Sequence, residues 1–207
     1  ADGVLAAMTG IHKPVTARLA GKGDWAKWDG TFVGTLGGQQ LANVAITDRN
    51  GHFQVKGATS IAQLIPGQMA RLLGPVTMLD LSGDFAQRRA ALRGTVTSDT
   101  LNLTTKGTVD LGQNRFDDLD VSVALLKPAQ LAKNLSADGL TAHFTLNGPF
   151  KSPAVDYDIA AARVTINDIV LNQLRARGQV TMSAKGYLAP LHATVARITF
   201  MDSVAGG

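Results

Sequence analysis

Histidine has the widest chemical range of any residue type in this chain, since it can bind a metal or move a proton near neutral pH. The chain has four histidines, which are His12, His52, His143 and His192. They are far apart in the sequence, and His52 and His143 fall on the polar side of the alternating segments that contain them. Because metal ligands and catalytic groups need clustered spacing, we interpret these histidines as solvated residues.

The densest group of carboxylates is Asp117, Asp118 and Asp120. A calcium loop needs a glycine and a distal acid at set spacing, and neither is present, so a turn and an outward-facing strand explain these residues. The sequence also lacks a G-x-S-x-G motif, a P-loop, an H-E-x-x-H motif and any cysteine. We therefore predict that the protein is not an enzyme and holds no metal or cofactor.

The clearest structural element is the stretch Thr100 to Gly112, in which apolar and polar residues alternate. Leu101, Leu103, Val109 and Leu111 share one side, whereas Asn102, Thr104, Lys106 and Asp110 share the other. Side chains of a strand alternate between its two faces, so the stretch predicts one long strand with an apolar face and a wet face.

The rest of the chain repeats this alternation. Turn signals separate the alternating runs, among them Gly37-Gly38, Asn50-Gly51, Asp138-Gly139 and Asn167-Asp168. We predict strands at Val15–Gly21, Thr31–Leu36, Leu41–Thr47, His52–Ala58, Thr77–Phe85, Ala90–Thr97, Leu119–Leu125, Leu140–Leu146, Val155–Ala161, Val164–Leu171, Leu174–Met182 and Leu191–Phe200. This order predicts an all-β domain over residues 1–207, built as a long, mostly antiparallel, curved sheet that forms an open apolar groove.

Two segments break the alternation and predict short helices. Between Ser60 and Leu73 the apolar residues follow a helical spacing, and Ser60 with Gln63 resembles a capping box. An interior proline disfavours a continuous helix, so we expect a loose turn and then a helix near 66–73. A second short helical segment is expected near 128–135, where Pro128 occupies the tolerated first position.

Composition limits the classes of function. The chain has 207 residues, of which 45% are hydrophobic, 17% charged and only 5% aromatic, with 22 glycines and a net charge of +4. The basic residues are scattered, so we expect no nucleic-acid partner. The absence of cysteine suits a bacterial envelope protein, and the ends of the sequence lack caps, which we interpret as the ends of a fragment of a longer repetitive chain.

Three motifs resemble the TamB family, the large AsmA-like subunits of the translocation and assembly module of Gram-negative bacteria. They are the strand segment T-K-G-T-V-D-L that begins at Thr105, the segment Phe144 to Tyr157 (FTLNGPFKSPAVDY), and the turn Gly21 to Trp28 (GKGDWAKW). The resemblance covers most of the chain.

The resemblance implies a repeating β-groove, also called a β-taco, that is apolar inside and polar outside. The parent protein would be anchored in the inner membrane, cross the periplasm and meet an Omp85-type (TamA-like) outer-membrane barrel. The family is tied to phospholipid transport between the membranes and to assembly of outer-membrane proteins. Phospholipid acyl chains are therefore the expected ligand of this segment.

An acyl chain needs a continuous apolar surface, because an unpaired polar group that faces hydrocarbon is costly. Two alternatives stay open on the same pattern: a scaffold that pairs its strand edges with outer-membrane proteins, and an ordinary β-sandwich binding domain. The residues predicted to line the concave, lipid-binding face are Leu79, Leu81, Leu101, Leu103, Val109, Leu111, Val121, Val123, Leu140, Phe144, Leu146, Tyr157 and Ile159.

Overall fold

A computed structural model describes residues 14–24, 26–65, 67–183, 186–188, 190 and 192–200. These residues form one open, curved sheet of fifteen strands, in which every strand pair is antiparallel. Strands β1 to β8 follow one another in chain order, and β10, β11, β12 and β13 continue the order. The short strand β9 pairs with β11, and β14 and β15 pair with β12. The predicted fold class is confirmed.

Most strands have eight or more residues, and the short ones lie in the second half of the chain. Their bounds are β1 Val15–Gly23, β2 Lys27–Leu36, β3 Gln39–Arg49, β4 His52–Thr59, β5 Thr77–Ala86, β6 Arg89–Thr97, β7 Leu101–Asp110, β8 Arg115–Leu125, β9 Leu135–Asp138, β10 Thr141–Pro149, β11 Ala154–Ile166, β12 Ile169–Ser183, β13 Gly186–Leu188, β14 His192–Thr194 and β15 Arg197–Phe200.

Tight turns form at the predicted glycine and asparagine signals. Asn50 and Gly51 both have a positive φ (54° and 85°), as the two central residues of a hairpin turn require. Asp48 accepts a hydrogen bond from the Gly51 amide at 2.9 Å, which fixes this turn further. Gly37 and Gly38 form the equivalent turn between β2 and β3, with φ values of 57° and 85°.

The central strand is shorter than the sequence predicts. β7 begins at Leu101, because the Ser98 hydroxyl accepts hydrogen bonds from the amides of Thr100 and Leu101 and forms a turn there. At the other end, Asp110 accepts a hydrogen bond from the Gln113 amide at 2.8 Å and begins the next turn. The prediction of one strand over residues 100–112 is therefore wrong at both ends, and Leu111 lies in a turn.

The C-terminal strands differ from the predicted set. Three predicted strands are replaced by two long strands, β11 and β12, which are joined by the turn at Asn167-Asp168. The three predicted strands are Val155–Ala161, Val164–Leu171 and Leu174–Met182. The Asn167-Asp168 signal predicts this turn correctly, whereas the predicted strand Val164–Leu171, which crosses the turn, is wrong. The predicted strand Leu191–Phe200 is divided into β14 and β15, and Leu191 itself lies outside the described residues.

A helical segment joins β4 to β5 at one end of the sheet. It contains a 3₁₀ turn at Ile61–Leu64 and one α-helix, α1, at Gln68–Leu73. The predicted capping box is wrong, since Ser60 makes no side-chain capping bond, and Pro66 lies outside the described residues. The second predicted helix is only a 3₁₀ turn at Pro128–Gln130, and the chain then enters β9, which the sequence did not predict.

Candidate functional site

The candidate site is the apolar face of the sheet, and the strand register defines it. Residues directly opposite one another in neighbouring strands point to the same side of a sheet. Two rows therefore run across the middle of the sheet from β1 to β12. The first central row is Leu19, Phe32, Val44, Gly57, Leu79, Val96, Leu103, Val123, Ala142, Ile159 and Ala176. The second central row is Gly21, Gly30, Ile46, Val55, Leu81, Gly94, Thr105, Val121, Phe144, Tyr157 and Gly178.

Neither central row contains a charged side chain. The two polar side chains in these rows, Thr105 and Tyr157, are both hydrogen-bonded. The Thr105 hydroxyl donates to the Asp120 carbonyl oxygen at 2.9 Å, and the Tyr157 hydroxyl donates to the Pro190 carbonyl oxygen at 2.9 Å. A hydroxyl that already has a partner does not penalise a neighbouring hydrocarbon as an unpaired one would. The two rows thus form a continuous apolar band across most of the sheet.

Strand glycines lie on this apolar face, and several of them are covered by a neighbouring side chain. The Trp28 ring lies against Gly21 and Gly30, where a Cβ would come within 2.3 Å and 2.1 Å of ring atoms. Tyr157 covers Gly178 in the same way, with its hydroxyl oxygen 2.5 Å from an added Cβ. Glycine in a strand permits close approach and bending, so these positions allow the sheet to curve while large side chains lie flat on it.

The bulge beside Gly107 preserves the apolar face. Lys106 pairs with Asp120, and the next pair is Thr108 with Asp117, so β8 has one more residue than β7 between the two pairs. Asp118 has a positive φ of 48°. The extra residue returns Phe116 to a position opposite Val109. Because a bulge shifts the alternation of only one strand, the apolar residues on both sides of it face the same way.

The structure brings most of the predicted lining residues onto one face. Leu79, Leu103, Val123 and Ile159 belong to the first central row, and Leu81, Val121, Phe144 and Tyr157 belong to the second. Leu101, Val109 and Leu146 lie on the same face nearer the strand ends.

Leu111 and Leu140 differ because neither is in a strand. Leu111 lies in the β7–β8 turn, with 42% of its surface exposed, and Leu140 lies directly before the first residue of β10. On the polar side of β7, Asp110 is buried and not exposed. Its carboxylate accepts a hydrogen bond from the Gln113 amide in the turn and lies 3.7 Å from the Arg89 guanidinium.

Sequence reasoning missed residues of β1 to β4 that belong to the same face. The motif Gly21 to Trp28 is typical of a turn, but Trp28 lies within β2. Trp25 is outside the described residues. Phe32, Val44 and Phe53 also face the apolar side. Their alternation was visible in the sequence, but only the strand register shows that they continue the rows of Leu79 and Leu81.

Within the described part of the chain, no second layer covers the apolar face over much of its area. Among the described residues only Thr77 has a fully buried side chain, whereas a closed core would bury many leucines and valines completely. Large apolar side chains on this face are strongly exposed, with Leu19 at 60%, Phe85 at 44% and Phe53 at 38%. An exposed apolar surface of this kind indicates a binding surface for something apolar.

Two adjoining depressions mark the part of the face near the β3–β4 and β5–β6 turns. One has a volume of about 370 Å³ and is walled by Phe53, Val55, Leu81, Phe85 and Leu92. The other has a volume of about 440 Å³ and is lined by Leu19, Trp28 and Phe53, with Asp24 and Asp48 also in its wall. Phe53 lines both, so together they form an extended, mainly apolar depression.

The opposite face of the sheet is polar and carries cross-strand ion pairs. Lys56 contacts Asp80 at 2.8 Å, and Arg177 contacts Asp158 at 2.8 Å. The hydrogen bond from Lys56 lowers the pKa of the Asp80 carboxyl below its ordinary value. Solvent and salt screen exposed pairs of this kind, so they define the wet face more than they stabilise it.

One group on the polar face contains the residue types of a hydrolytic triad. The Ser122 hydroxyl lies 2.9 Å from His143 Nδ1, and His143 Nε2 lies 3.5 Å from Asp120. Thr145 donates to the same Asp120 carboxylate at 2.8 Å, which makes the group a ladder across β8 and β10. The backbone around it is paired on both sides of each strand, so it offers no oxyanion donors, and we interpret it as part of the solvated face.

Comparison of the chain with protein-family models, with curated proteins and with solved structures finds no match. Within the described ranges, no group of three or more His, Cys, Asp or Glu side chains is arranged to hold a metal ion. The helices of those ranges also include none with the length and apolarity needed to cross a membrane.

Proposed function

We propose that this chain is a segment of a hydrophobic groove that carries phospholipid acyl chains across the periplasm between the inner and outer membranes. The observation that carries the proposal is the pair of central rows, which cross the sheet without a charged side chain. Acyl chains would lie along this band, and their head groups would stay at the rim. The proposed transport needs no catalytic residue, metal or cofactor.

The parent protein in this proposal belongs to the TamB family, whose motifs the sequence resembles. It would be anchored in the inner membrane, and an Omp85-type barrel would receive its far end. A groove that passes lipid to such a barrel would also support the assembly of outer-membrane proteins. The small side chains and glycines of the rows support the proposal, since they leave room for hydrocarbon beside the sheet.

A second candidate function rests on the free edge of the sheet. All residues of β1 are exposed, and its outer edge has no paired strand among the described residues. Such an edge can add a strand from another chain through backbone hydrogen bonds. On this alternative the protein is a scaffold that holds strands of outer-membrane proteins during assembly.

Replacing Leu103 with Arg tests the groove. Leu103 is half-buried in the first central row, so in an open groove the long Arg side chain can reach water and the cost in stability is about 1–2 kcal/mol. Bound lipid should nevertheless fall sharply, because tails would have to cross a charged, hydrated site. Thermal melting and the amount of co-purifying phospholipid are measured on the same preparation.

The matched control is Asn102→Arg, which places the same charge on the adjacent, exposed residue of the polar face. It should change neither melting nor lipid content. If Leu103→Arg lowers stability by about 3–5 kcal/mol, the face is a closed core. If that variant is stable and carries wild-type amounts of lipid, the groove proposal is wrong, and the edge of β1 becomes the better candidate.

A further inference from the structure

Arg88 lies in the turn that follows one wall of the apolar depression. Phe85 and Ala90, which are paired across β5 and β6, form part of its wall. The chain between these strands turns through Gln87 and Arg88, so Arg88 is only two residues from the wall at Ala90. The wall is formed mainly by apolar side chains, with Ser82 and Asp84 also in its lining, and Phe85 is 44% exposed. The turn therefore places Arg88 just beyond the end of this wall along the chain.

Arg88 is also the less engaged of the two arginines at this turn. Arg89 contacts Asp117 at 2.6 Å and Asp110 at 3.7 Å, so two carboxylates neutralise it. Arg88 has no carboxylate within ion-pair distance among the described residues, and its guanidinium makes one long hydrogen bond of 3.4 Å to the Leu111 carbonyl oxygen. Its charge is thus available to a ligand.

The backbone of the turn is strained in a way that the other tight turns avoid. Gln87 and Arg88 have φ values of 49° and 62°, in the left-handed region that glycine and asparagine favour. The β2–β3 turn uses two glycines, and the β3–β4 turn uses Asn50 and Gly51. Strained residues of this kind tend to lie at functional sites, which makes the unusual choice of side chain here informative.

We infer that Arg88 binds the phosphodiester of a phospholipid whose acyl chain occupies the apolar depression between Phe53 and Leu92. This assignment rests on the proposed function and adds the place and the chemistry of the head-group contact. A guanidinium matches a phosphate with two parallel hydrogen bonds. The apolar wall begins two residues along the chain from Arg88, at Ala90. A single-chain phospholipid can therefore satisfy both parts of the site at once.

Two amphiphiles with the same acyl chain separate the two parts of the site. The probes are myristoyl lysophosphatidylglycerol and monomyristoylglycerol, which lacks the phosphate, both added below their micelle-forming concentrations. Their affinities are measured by calorimetry for wild type, Arg88→Gln, Arg88→Lys and Arg93→Gln. Arg93 is the control, because it is an exposed arginine on the polar face, where it donates to Ser82.

We expect Arg88→Gln to weaken the phosphate-bearing probe by about threefold to tenfold, and to leave the phosphate-free probe unchanged. Arg88→Lys should retain most of the affinity, and Arg93→Gln should match wild type for both probes. Raising the salt concentration should weaken only the phosphate-bearing probe.

Three results would contradict the head-group site without contradicting the groove. Arg88→Gln could bind both probes as tightly as wild type, or it could lose the same affinity for both. The third result is that Arg93→Gln loses as much affinity for the phosphate-bearing probe as Arg88→Gln does. A wild-type protein that binds neither probe contradicts the groove itself, and the head-group site with it. The failures of the two proposals are therefore distinguishable.

Discussion

At the scale of the residue, glycine and its covering neighbour set the shape of the apolar face. Gly94 is the clearest example: a Cβ there would lie 2.4 Å from the Asp80 carbonyl oxygen and 2.6 Å from a methyl group of Leu81. One of these neighbours is backbone and cannot yield without moving a strand. The absence of a side chain at Gly94 is thus a requirement of the local sheet geometry.

Replacing Gly94 with Ala should therefore destabilise the protein. We expect a loss of about 1–3 kcal/mol in the free energy of unfolding, because the added methyl overpacks a site with no room. Urea denaturation, with the slope compared between variants, measures it.

Gly34→Ala is the matched control, since Gly34 is also a strand glycine on the apolar face. There an added Cβ meets nothing closer than 3.5 Å, and Ala restricts the unfolded chain, so its stability should be unchanged or slightly higher. Equal losses in the two variants would mean that contact at Gly94 is not the cause.

The alternation of apolar and polar residues predicted the lining residues that lie within β5 to β11, because successive side chains of a regular strand point to opposite faces. It could not identify Trp28 as a member of the same face. A tryptophan after a glycine-rich turn reads as a loop residue, and only its pairing with Gly23 and Asp48 places it in β2.

At the scale of the element, the connection between β4 and β5 ties one end of the sheet together. The Thr77 hydroxyl donates to the Leu73 carbonyl oxygen at the end of α1 at 3.0 Å, and Thr77 is completely buried. Arg71 of α1 reaches the Gln130 carbonyl oxygen at 3.2 Å, which links the helix to the connection after β8. The Thr100 hydroxyl also donates to the Leu72 carbonyl oxygen, so polar contacts hold the helix to three separate parts of the chain.

Thr77→Val keeps the shape of the side chain but removes this donor. Because the Leu73 carbonyl would lose its partner in a buried place, we expect a loss of about 1–2 kcal/mol in the free energy of unfolding. Thr95→Val, on the exposed face of β6, is the control and should be close to neutral. A Thr77→Val variant as stable as wild type would show that water reaches the end of α1 and replaces the hydroxyl.

The sequence predicts most of the strands, but it does not predict the residues at which they begin and end. The Asn50-Gly51 hairpin followed from its sequence, because few residues other than asparagine and glycine take two successive positive φ angles easily. The ends of β7 depend on side-chain bonds from Ser98 and Asp110 to the backbone, which the alternation of apolar residues does not reveal. β9 escaped prediction because it is only four residues long and pairs with the far half of β11.

At the scale of the whole molecule, the sheet has one apolar face and one polar face, and most of the apolar face remains accessible. A globular domain normally covers such a face with a second layer. Exposed side chains such as Leu19 and Phe85 show that this layer is incomplete in the described residues. The sequence predicted the two faces, but periodicity is the same in a sandwich and in an open sheet, so only the structure distinguishes these two architectures.

Native mass spectrometry of the wild-type chain, purified from bacterial envelopes and transferred without detergent, tests the central claim most directly. The groove account predicts a population whose mass exceeds that of the chain by one or more phospholipids, and fragmentation should release them as intact lipid. Hydrogen exchange on the same sample should slow in β4 to β6 when lipid is bound. A lipid-free protein in which the strands of the apolar face are already fully protected would contradict the account, because it would mean that the protein covers this face itself.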